Sequence, residues 1–159
     1  MPKSVFLTGA TGYIGSRLAR RLAERGDRLR CLVRPTSDTT ELERLGAELV
    51  RGDLTDASTL VGALEGIDVA YHLAAVYDMG VVDRAALERT NVHGTQAFLA
   101  AIERARTPRA VYVSTTAALA PVAYGEGDED TEYPPHAHYP SVYHRTKAKA
   151  HKLAREAQR

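Results

Sequence analysis

The chain has 159 residues, enough for one ordinary domain with its own core, and 44% of them are hydrophobic. Lysine and arginine number 21 against 20 aspartates and glutamates, a net charge of +1, so composition provides no basic field for binding nucleic acid or an acidic membrane. A single cysteine, Cys31, excludes an internal disulfide, and with no signal-peptide core at the start and no membrane-length apolar run, a cytoplasmic protein is expected.

Short apolar runs alternate with helical patterns along the chain, which is typical of repeated βαβ units on a parallel sheet. Strands are predicted at residues 5–8, 29–33, 48–50, 69–73 and 110–114. The predicted fold class is therefore α/β, a Rossmann-type doubly wound parallel sheet in three α/β/α layers.

Helical patterns fill the segments between these strands. Ile14, Leu18 and Leu22 recur every four residues in the first helix, which ends at Gly26. The remaining helices are predicted at residues 40–45, 58–64, 81–106 with a bend near 91–94, and 141–157, the last one preceded by a loop over 121–140.

A glycine-rich loop follows the first strand directly and opens the first helix, with the sequence Gly9-Ala10-Thr11-Gly12-Tyr13-Ile14-Gly15. Gly9 can make the tight turn, Gly12 lets the backbone approach a pyrophosphate, and Gly15 lets the helix pack closely on the strand. The pyrophosphate would then bind the free amides at the positive end of the helix dipole. The alternative is a glycine-rich turn without a ligand, and the strand-to-helix placement favours the dinucleotide site.

The second predicted strand ends at an arginine. Arg34 lies 34 − 15 = 19 residues beyond Gly15. An acidic residue that reads the ribose is expected about 20 residues after the loop, whereas an arginine there suits the 2′-phosphate of NADP. Thr36 and Ser37 could add hydroxyl donors. NADP is therefore the predicted cofactor, with NAD as the second choice and a solvated arginine as the structural alternative.

Two further strand ends carry residues that suit an adenosine site. The Asp53 carboxylate can accept from an adenine amino group while Leu54 packs on the ring; the alternative is a helix-cap or turn aspartate. Ala74 and Ala75 follow the fourth strand and leave room for a cofactor, although close packing would also select alanine.

The last helix carries Tyr143 and Lys147 one turn apart on the same face. A tyrosine needs a lowered pKa to exchange a proton at neutral pH, and a nearby cation lowers it. Hydroxyl side chains follow the fifth strand, at the sheet edge where open parallel sheets bind ligands. Alone, such a pair is more often a surface feature, but the glycine loop in the same chain favours a catalytic role.

Together these residues resemble the extended short-chain dehydrogenase/reductases, the NAD-dependent epimerase/dehydratase type. The glycine loop, the Asp53-Leu54 pair, the segment at Asn91-Val92-x-Gly94-Thr95 and the Tyr143-x-x-x-Lys147 pair match that group in order and spacing. The residues around Arg34 and Thr115-Thr116 look most similar to its dihydroflavonol-reductase-like and hopanoid-associated sugar-epimerase-like branches.

The resemblance implies hydride transfer between a nicotinamide and a substrate hydroxyl or carbonyl carbon. Tyr143 would be the general acid/base, Lys147 would lower its pKa and hold the nicotinamide ribose, and Thr116 would orient the substrate oxygen, with Thr115 as the alternative. The substrate would be a small molecule of sugar, polyol or ketone type, and a homodimer is compatible with the resemblance. Asn91 would have a structural or proton-relay role.

The resemblance also sets expectations about extent and about rival functions. A doubly wound domain has about six strands, so residues 1–159 are predicted to be the NAD(P)-binding Rossmann domain, with the substrate-binding part absent and no turnover by these residues alone. The alternative function is a non-catalytic NAD(P)-binding redox-sensing module. His136, His138 and His144 lack a ligand pattern, so no metal site is predicted.

Overall fold

The computed structural model describes residues 1–77 and 83–158 and contains a five-stranded sheet. All neighbouring strands pair in parallel, in the order β3-β2-β1-β4-β5. The strands are β1 (Ser4–Thr8), β2 (Arg28–Val33), β3 (Glu48–Arg51), β4 (Val69–His72) and β5 (Ala110–Tyr112). The predicted Rossmann-type doubly wound sheet is confirmed.

Helices connect the strands as the predicted pattern requires. They are α1 (Tyr13–Glu24), α2 (Thr40–Arg44), α3 (Ala57–Ala63), α4 (Arg84–Leu87), α5 (Gly94–Ala105) and α6 (Val142–Glu156). A π-helical turn, Glu88–His93, joins α4 to α5, and a 3-10 turn, Thr116–Ala118, follows β5. Residues 121–140 form the predicted loop.

Two hydrophobic cores lie on opposite faces of the sheet because successive side chains of a strand point to opposite sides. Phe6 packs on one face with Leu60 of α3 and Phe98 of α5. Val5 and Leu7 face the other way, into a core that includes helices α1 and α2. The strands are therefore covered on both sides, which explains their continuous apolar runs.

The order of the strands fixes where a ligand can bind. The chain runs outward from β1 through β2 to β3, then returns to the other side of β1 to form β4. The connections after β1 and β4 leave in opposite directions, which opens a crevice at the carboxyl ends of these strands. The glycine loop after Thr8 and the alanine pair after His72 lie at this switch point.

The structure differs from the predicted elements mainly at their ends. The strand predicted over 110–114 ends at Tyr112, because its partner β4 ends at His72 and Val113 makes the last backbone bond to it. The bend predicted near 91–94 is a π-helical turn. The first two residues of the predicted 81–106 helix lie outside the described residues.

Candidate active site

The tight turn after β1 depends on a glycine at position 9. Gly9 has a φ of +73°, a conformation that side-chain-bearing residues rarely adopt. A Cβ atom there would lie 2.7 Å from the backbone nitrogen of Ala74. The turn closes with a hydrogen bond from the Gly12 amide to the Gly9 carbonyl at 3.0 Å. The first loop glycine is therefore required both by its conformation and by the approach of the chain after β4.

The third glycine of the loop brings α1 against this turn. A Cβ on Gly15 would lie 2.1 Å from the Gly9 carbonyl oxygen, so no larger residue fits without moving backbone. Gly12 caps α1 and has no side chain to accept from the amides of the first turn. Tyr13 and Ile14 are exposed at this end of the helix. The start of α1 thus presents backbone amides and its positive dipole end to the crevice.

A cleft of about 400 Å³ extends from the glycine turn across the ends of β2, β3 and β4. The sequence-predicted cofactor residues that line it are Gly9, Thr11, Gly12, Arg34, Asp53, Leu54, Ala74 and Ala75. Ser37, Val76, Tyr77 and Thr90 also line it. Residues from five separate segments of the sequence therefore line one cleft. Tyr143 and Lys147 lie on α6 and are not among the lining residues.

Asp53 is a turn aspartate, one of the two alternatives considered for it, and it also lines the cleft. Its Oδ1 accepts from the backbone amide of Thr55 at 2.8 Å and from the Thr55 hydroxyl at 2.6 Å, so it is a turn aspartate. These bonds lower the pKa of Asp53, and the positive charges of Arg34 and Arg89 act in the same direction. The residue nevertheless lines the cleft, beside an arginine that follows β2. The carboxylate is therefore held ionised at the cleft wall.

Tyr143 lies near the start of α6, which Ser141 caps by accepting from the His144 amide at 3.3 Å. Its half-buried ring packs edge-to-face against Tyr77, with centroids 4.8 Å apart. Burial raises the pKa of the Tyr143 phenol, a hydrogen bond with Thr115 lowers it, and the neighbouring Tyr77 phenol raises it, for a net increase. The phenol is therefore protonated at neutral pH.

Lys147 is buried and points toward β5. Its Nζ donates to the Tyr112 hydroxyl at 3.1 Å and to the Val113 carbonyl at 3.3 Å. Burial lowers the pKa of Lys147 to about 8. The sequence predicts that Lys147 lowers the pKa of Tyr143. In the structure the Lys147 ammonium is directed at Tyr112 and Val113 instead. Burial has the largest effect on the pKa of Tyr143, and the net change is an increase.

The hydroxyl groups after β5 have different partners. The Ser114 hydroxyl pairs with Nδ1 of His151 at 2.9 Å. The Thr115 hydroxyl interacts with Tyr143 and accepts from the Ala117 amide at 3.3 Å. Thr116 begins the 3-10 turn that Thr115 caps. Of the two candidate hydroxyls, Thr115 is the one that acts on the pKa of Tyr143.

Sequence reasoning missed two tyrosines beside the predicted catalytic pair. Tyr77 contacts Tyr143 and lines the cleft, and Tyr112 accepts a hydrogen bond from Lys147. Burial raises the pKa of Tyr112, and the nearby Tyr143 adds to the effect. Tyr77 comes shortly after the fourth predicted strand, and Tyr112 lies in the fifth. Parallel sheets bind ligands at the carboxyl ends of their strands, so these positions in the sequence could have indicated both tyrosines as site residues.

Two features are absent from the described ranges, 1–77 and 83–158. No helix there combines the length and apolar character needed to cross a bilayer. Within the same part of the chain, no three histidine, cysteine, aspartate or glutamate side chains are grouped to hold a metal ion.

Comparison with known proteins identifies a family match over nearly the whole chain. The model of the NAD-dependent epimerase/dehydratase family matches residues 5–159. A Synechocystis protein named for dihydroflavonol 4-reductase is 38% identical over 135 residues, which cover 84% of this chain and 39% of that protein. A Stigmatella aurantiaca ketoreductase, named for a farnesylated dihydroquinoline oxide, is 37% identical over 155 residues. These residues cover 96% of this chain and 45% of the ketoreductase.

The same likeness holds among solved structures. The dTDP-glucose 4,6-dehydratase of Streptomyces venezuelae, solved with NAD bound, superposes with a TM-score of 0.83 and 28% identity. The match covers 96% of this chain and 51% of the dehydratase. The chain therefore spans about half the length, or less, of these proteins.

Proposed function

The chain belongs to the NAD-dependent epimerase/dehydratase family, and from that membership we propose that it is the dinucleotide-binding part of a longer NAD(P)-dependent oxidoreductase. The proposed reaction is the reduction of a carbonyl group, or its reverse, with Tyr143 as the proton donor. The proposal that residues 1–159 form one such domain is supported by their coverage of about half of the related proteins.

The observation that carries the proposal is the glycine cradle. A Cβ on Gly9 or Gly15 would meet backbone at 2.7 or 2.1 Å, so the turn is shaped for close approach of backbone rather than for side-chain packing. Gly12 and the first turn of α1 would hold the pyrophosphate, Leu54 the adenine ring, and Arg34 a 2′-phosphate. When bound, the nicotinamide dinucleotide supplies or accepts hydride.

The proposed proton transfer involves Tyr143, Thr115 and Lys147. The raised pKa keeps the Tyr143 phenol protonated, which is the form that donates to a carbonyl oxygen. We assign Thr115 to hold the same oxygen because its hydroxyl acts to lower the pKa of the Tyr143 phenol. Lys147, held by Tyr112 and Val113, would supply a donor for the nicotinamide ribose.

A ketone is the proposed substrate class. The relative at 37% identity is named a ketoreductase and the one at 38% identity is named for dihydroflavonol 4-reductase, while the sugar-nucleotide dehydratase is 28% identical. The Tyr77 ring lies edge-to-face with Tyr143 and is 63% exposed, so it offers an aromatic surface beside the proton donor. A flat ring could pack on that surface.

Turnover by four variants of the full-length protein tests this assignment, with NADPH and a ring ketone as substrates. Tyr143→Phe should lose roughly 100-fold or more of kcat while binding cofactor normally, because only the phenolic hydroxyl is removed. Thr115→Val should lose activity that Thr115→Ser regains. The matched control, Thr116→Val, should retain most of the wild-type rate.

The outcomes separate the proposal from its rivals. Near-normal turnover by Tyr143→Phe would show that this phenol is not the proton donor. Loss of activity in Thr116→Val with full activity in Thr115→Val would return the catalytic hydroxyl to Thr116. Tight dinucleotide binding with no turnover of any carbonyl substrate by the wild type would favour a redox-sensing module.

A further inference from the structure

A buried chain of hydrogen bonds runs from the end of β1 to the π-helical turn. The side chains of Thr8, His72, Thr95 and Asn91 are all at most 2% exposed. The Thr8 hydroxyl lies 2.7 Å from Nδ1 of His72, and Nε2 of His72 lies 3.0 Å from the Thr95 hydroxyl. The Thr95 hydroxyl donates in turn to the Asn91 carbonyl at 2.8 Å. Each member therefore contacts the next.

The direction of every bond follows from counting hydrogens. Thr95 has one hydroxyl hydrogen and gives it to Asn91, so Nε2 of His72 must donate to Thr95. Nδ1 then carries the lone pair and accepts from Thr8, whose oxygen also accepts from the Ala74 amide at 3.3 Å. Burial lowers the pKa of His72 to about 3, in keeping with a neutral ring. The network assigns one tautomer and satisfies each of its donors.

The far end of the chain reaches the catalytic helix. The Asn91 side chain accepts from the Val76 amide at 2.7 Å and donates to the Val76 carbonyl at 3.1 Å, so it fixes the segment after β4 like a neighbouring strand. It also donates to the Thr146 hydroxyl of α6 at 3.1 Å. Thr146 lies between Tyr143 and Lys147, and its hydroxyl donates to the Tyr143 carbonyl at 3.0 Å.

The π-helical turn also contacts the adenosine end of the cleft. A Cβ on Gly94, the first residue after the turn, would lie 2.6 Å from a methyl carbon of Leu54. Leu54 is 8% exposed and lines the cleft. The segment Glu88–His93 and its successor therefore contact both the predicted adenine site and α6. π-Turns often occur at functional sites, where the extra residue redirects a side chain.

We propose that Thr8, His72, Thr95 and Asn91 are positioning residues that hold the dinucleotide cleft and the Tyr143 helix in one fixed relation. This series of hydrogen bonds begins beside the glycine turn, where Thr8 accepts from the Ala74 amide, and ends at Thr146, the residue before Lys147. Its effect on turnover rests on the proposed function, whereas its effect on structure does not. A displacement of about 1 Å at a reacting group can cost a hundredfold in rate, so this link would set the efficiency of hydride and proton transfer.

Thr95 is the link to break, because two conservative variants separate its hydroxyl from its shape. Thr95→Val keeps the branched side chain but removes the hydroxyl, so Nε2 of His72 loses its acceptor and the Asn91 carbonyl loses the bond from that hydroxyl. Thr95→Ser keeps the hydroxyl. The matched control is Thr39→Val. Thr39 is 7% exposed, and its hydroxyl donates to Glu43 at 2.7 Å. It lies at the start of α2 and is not part of the hydrogen-bond network around His72.

Hydrogen exchange in the full-length protein measures the link without reference to activity. In Thr95→Val, amides in segments 73–77 and 142–147 should exchange about tenfold faster, although neither segment contains residue 95. Thr95→Ser and Thr39→Val should leave both segments at the wild-type rate. In parallel, Thr95→Val should lower kcat about tenfold with little change in KM for the carbonyl substrate.

Hydrogen exchange and turnover test the positioning role and the proposed function independently. If the wild type shows no turnover, the proposed function is wrong, and the exchange rates still decide whether the link exists. If faster exchange in Thr95→Val stays within residues 88–105, Thr95 stabilises only its own helix and the positioning role is wrong. The role is equally wrong if the wild type turns over and Thr95→Val matches its kcat, or if Thr95→Ser behaves like Thr95→Val.

Discussion

The proposed dinucleotide cleft and the proposed catalytic helix, α6, are built by different means. At the cleft, the shape comes from backbone: Gly9 turns with a positive φ, and Gly15 lets α1 approach the turn. At α6, the arrangement comes from side chains in partly buried surroundings, where Lys147 bonds Tyr112 and Tyr143 packs on Tyr77. The glycine turn has no room for added side chains, whereas the arrangement at α6 depends on contacts between side chains.

This difference decides how each region responds to change. Backbone groups in a tight turn have no freedom to move aside, so an added atom at the cleft acts through steric overlap. Buried titratable side chains respond instead to desolvation, which raises the pKa of Tyr143 and lowers that of Lys147. We therefore expect the cleft to be sensitive to size and the catalytic helix to pH.

The largest expected effect is at the third loop glycine. Gly15→Ala would place Cβ 2.1 Å from the Gly9 oxygen and 2.9 Å from Cα of Ala10, both backbone atoms. It should lower the free energy of unfolding by about 3 kcal/mol or more and abolish dinucleotide binding. Chemical denaturation and cofactor titration would measure the two effects.

A second helical glycine provides the matched control. Gly62 lies in α3, and a Cβ there would meet nothing within 4 Å. Gly62→Ala should therefore stabilise the protein, by up to about 1 kcal/mol, through helix propensity. Equal stability of Gly15→Ala and the wild type would show that backbone crowding does not shape the cleft.

The second effect concerns Lys147 and pH. The pKa of Lys147 is about 8 in the folded chain against 10.5 for the exposed side chain, so the unfolded chain holds more protons between these values. The free energy of unfolding should therefore rise with pH across this window. The shift of 10.5 − 8 = 2.5 units corresponds to roughly 3 kcal/mol.

Lys147→Met isolates this contribution because it keeps the length of the side chain and removes the charge. The wild type should gain roughly 3 kcal/mol of unfolding free energy relative to the variant between pH 8 and 10.5. Denaturation curves of both proteins at several pH values give that difference directly. Parallel pH curves would mean that Lys147 is charged and solvated in the folded protein.

The same contrast explains which features the sequence could predict. The strand runs, the glycine loop and the order of the helices are local patterns, and the sheet, the cleft and its lining at Arg34, Asp53 and Ala74 followed from them. The partner of Lys147 is 35 positions away on β5, and the Thr95 hydroxyl binds a histidine 23 positions away. Such long-range pairings have no local signature. The burial that raises the pKa of Tyr143 has none either, whereas the sequence predicted a pKa lowered by Lys147. The choice between Thr115 and Thr116 stays a prediction.

The measurement that tests the central claim most directly is a titration of the full-length protein with NADP⁺ and with NAD⁺. Arg34 is a cationic side chain of the cleft and is proposed to bind the 2′-phosphate that NADP⁺ carries and NAD⁺ lacks. The wild type should bind NADP⁺ more tightly, and Arg34→Gln should weaken NADP⁺ about tenfold or more while leaving NAD⁺ unchanged. Arg28→Gln, at the opposite end of the same strand, should change neither affinity. Tighter binding of NAD⁺ by the wild type would contradict the role of Arg34, and binding of neither dinucleotide would contradict the assignment of the cleft itself.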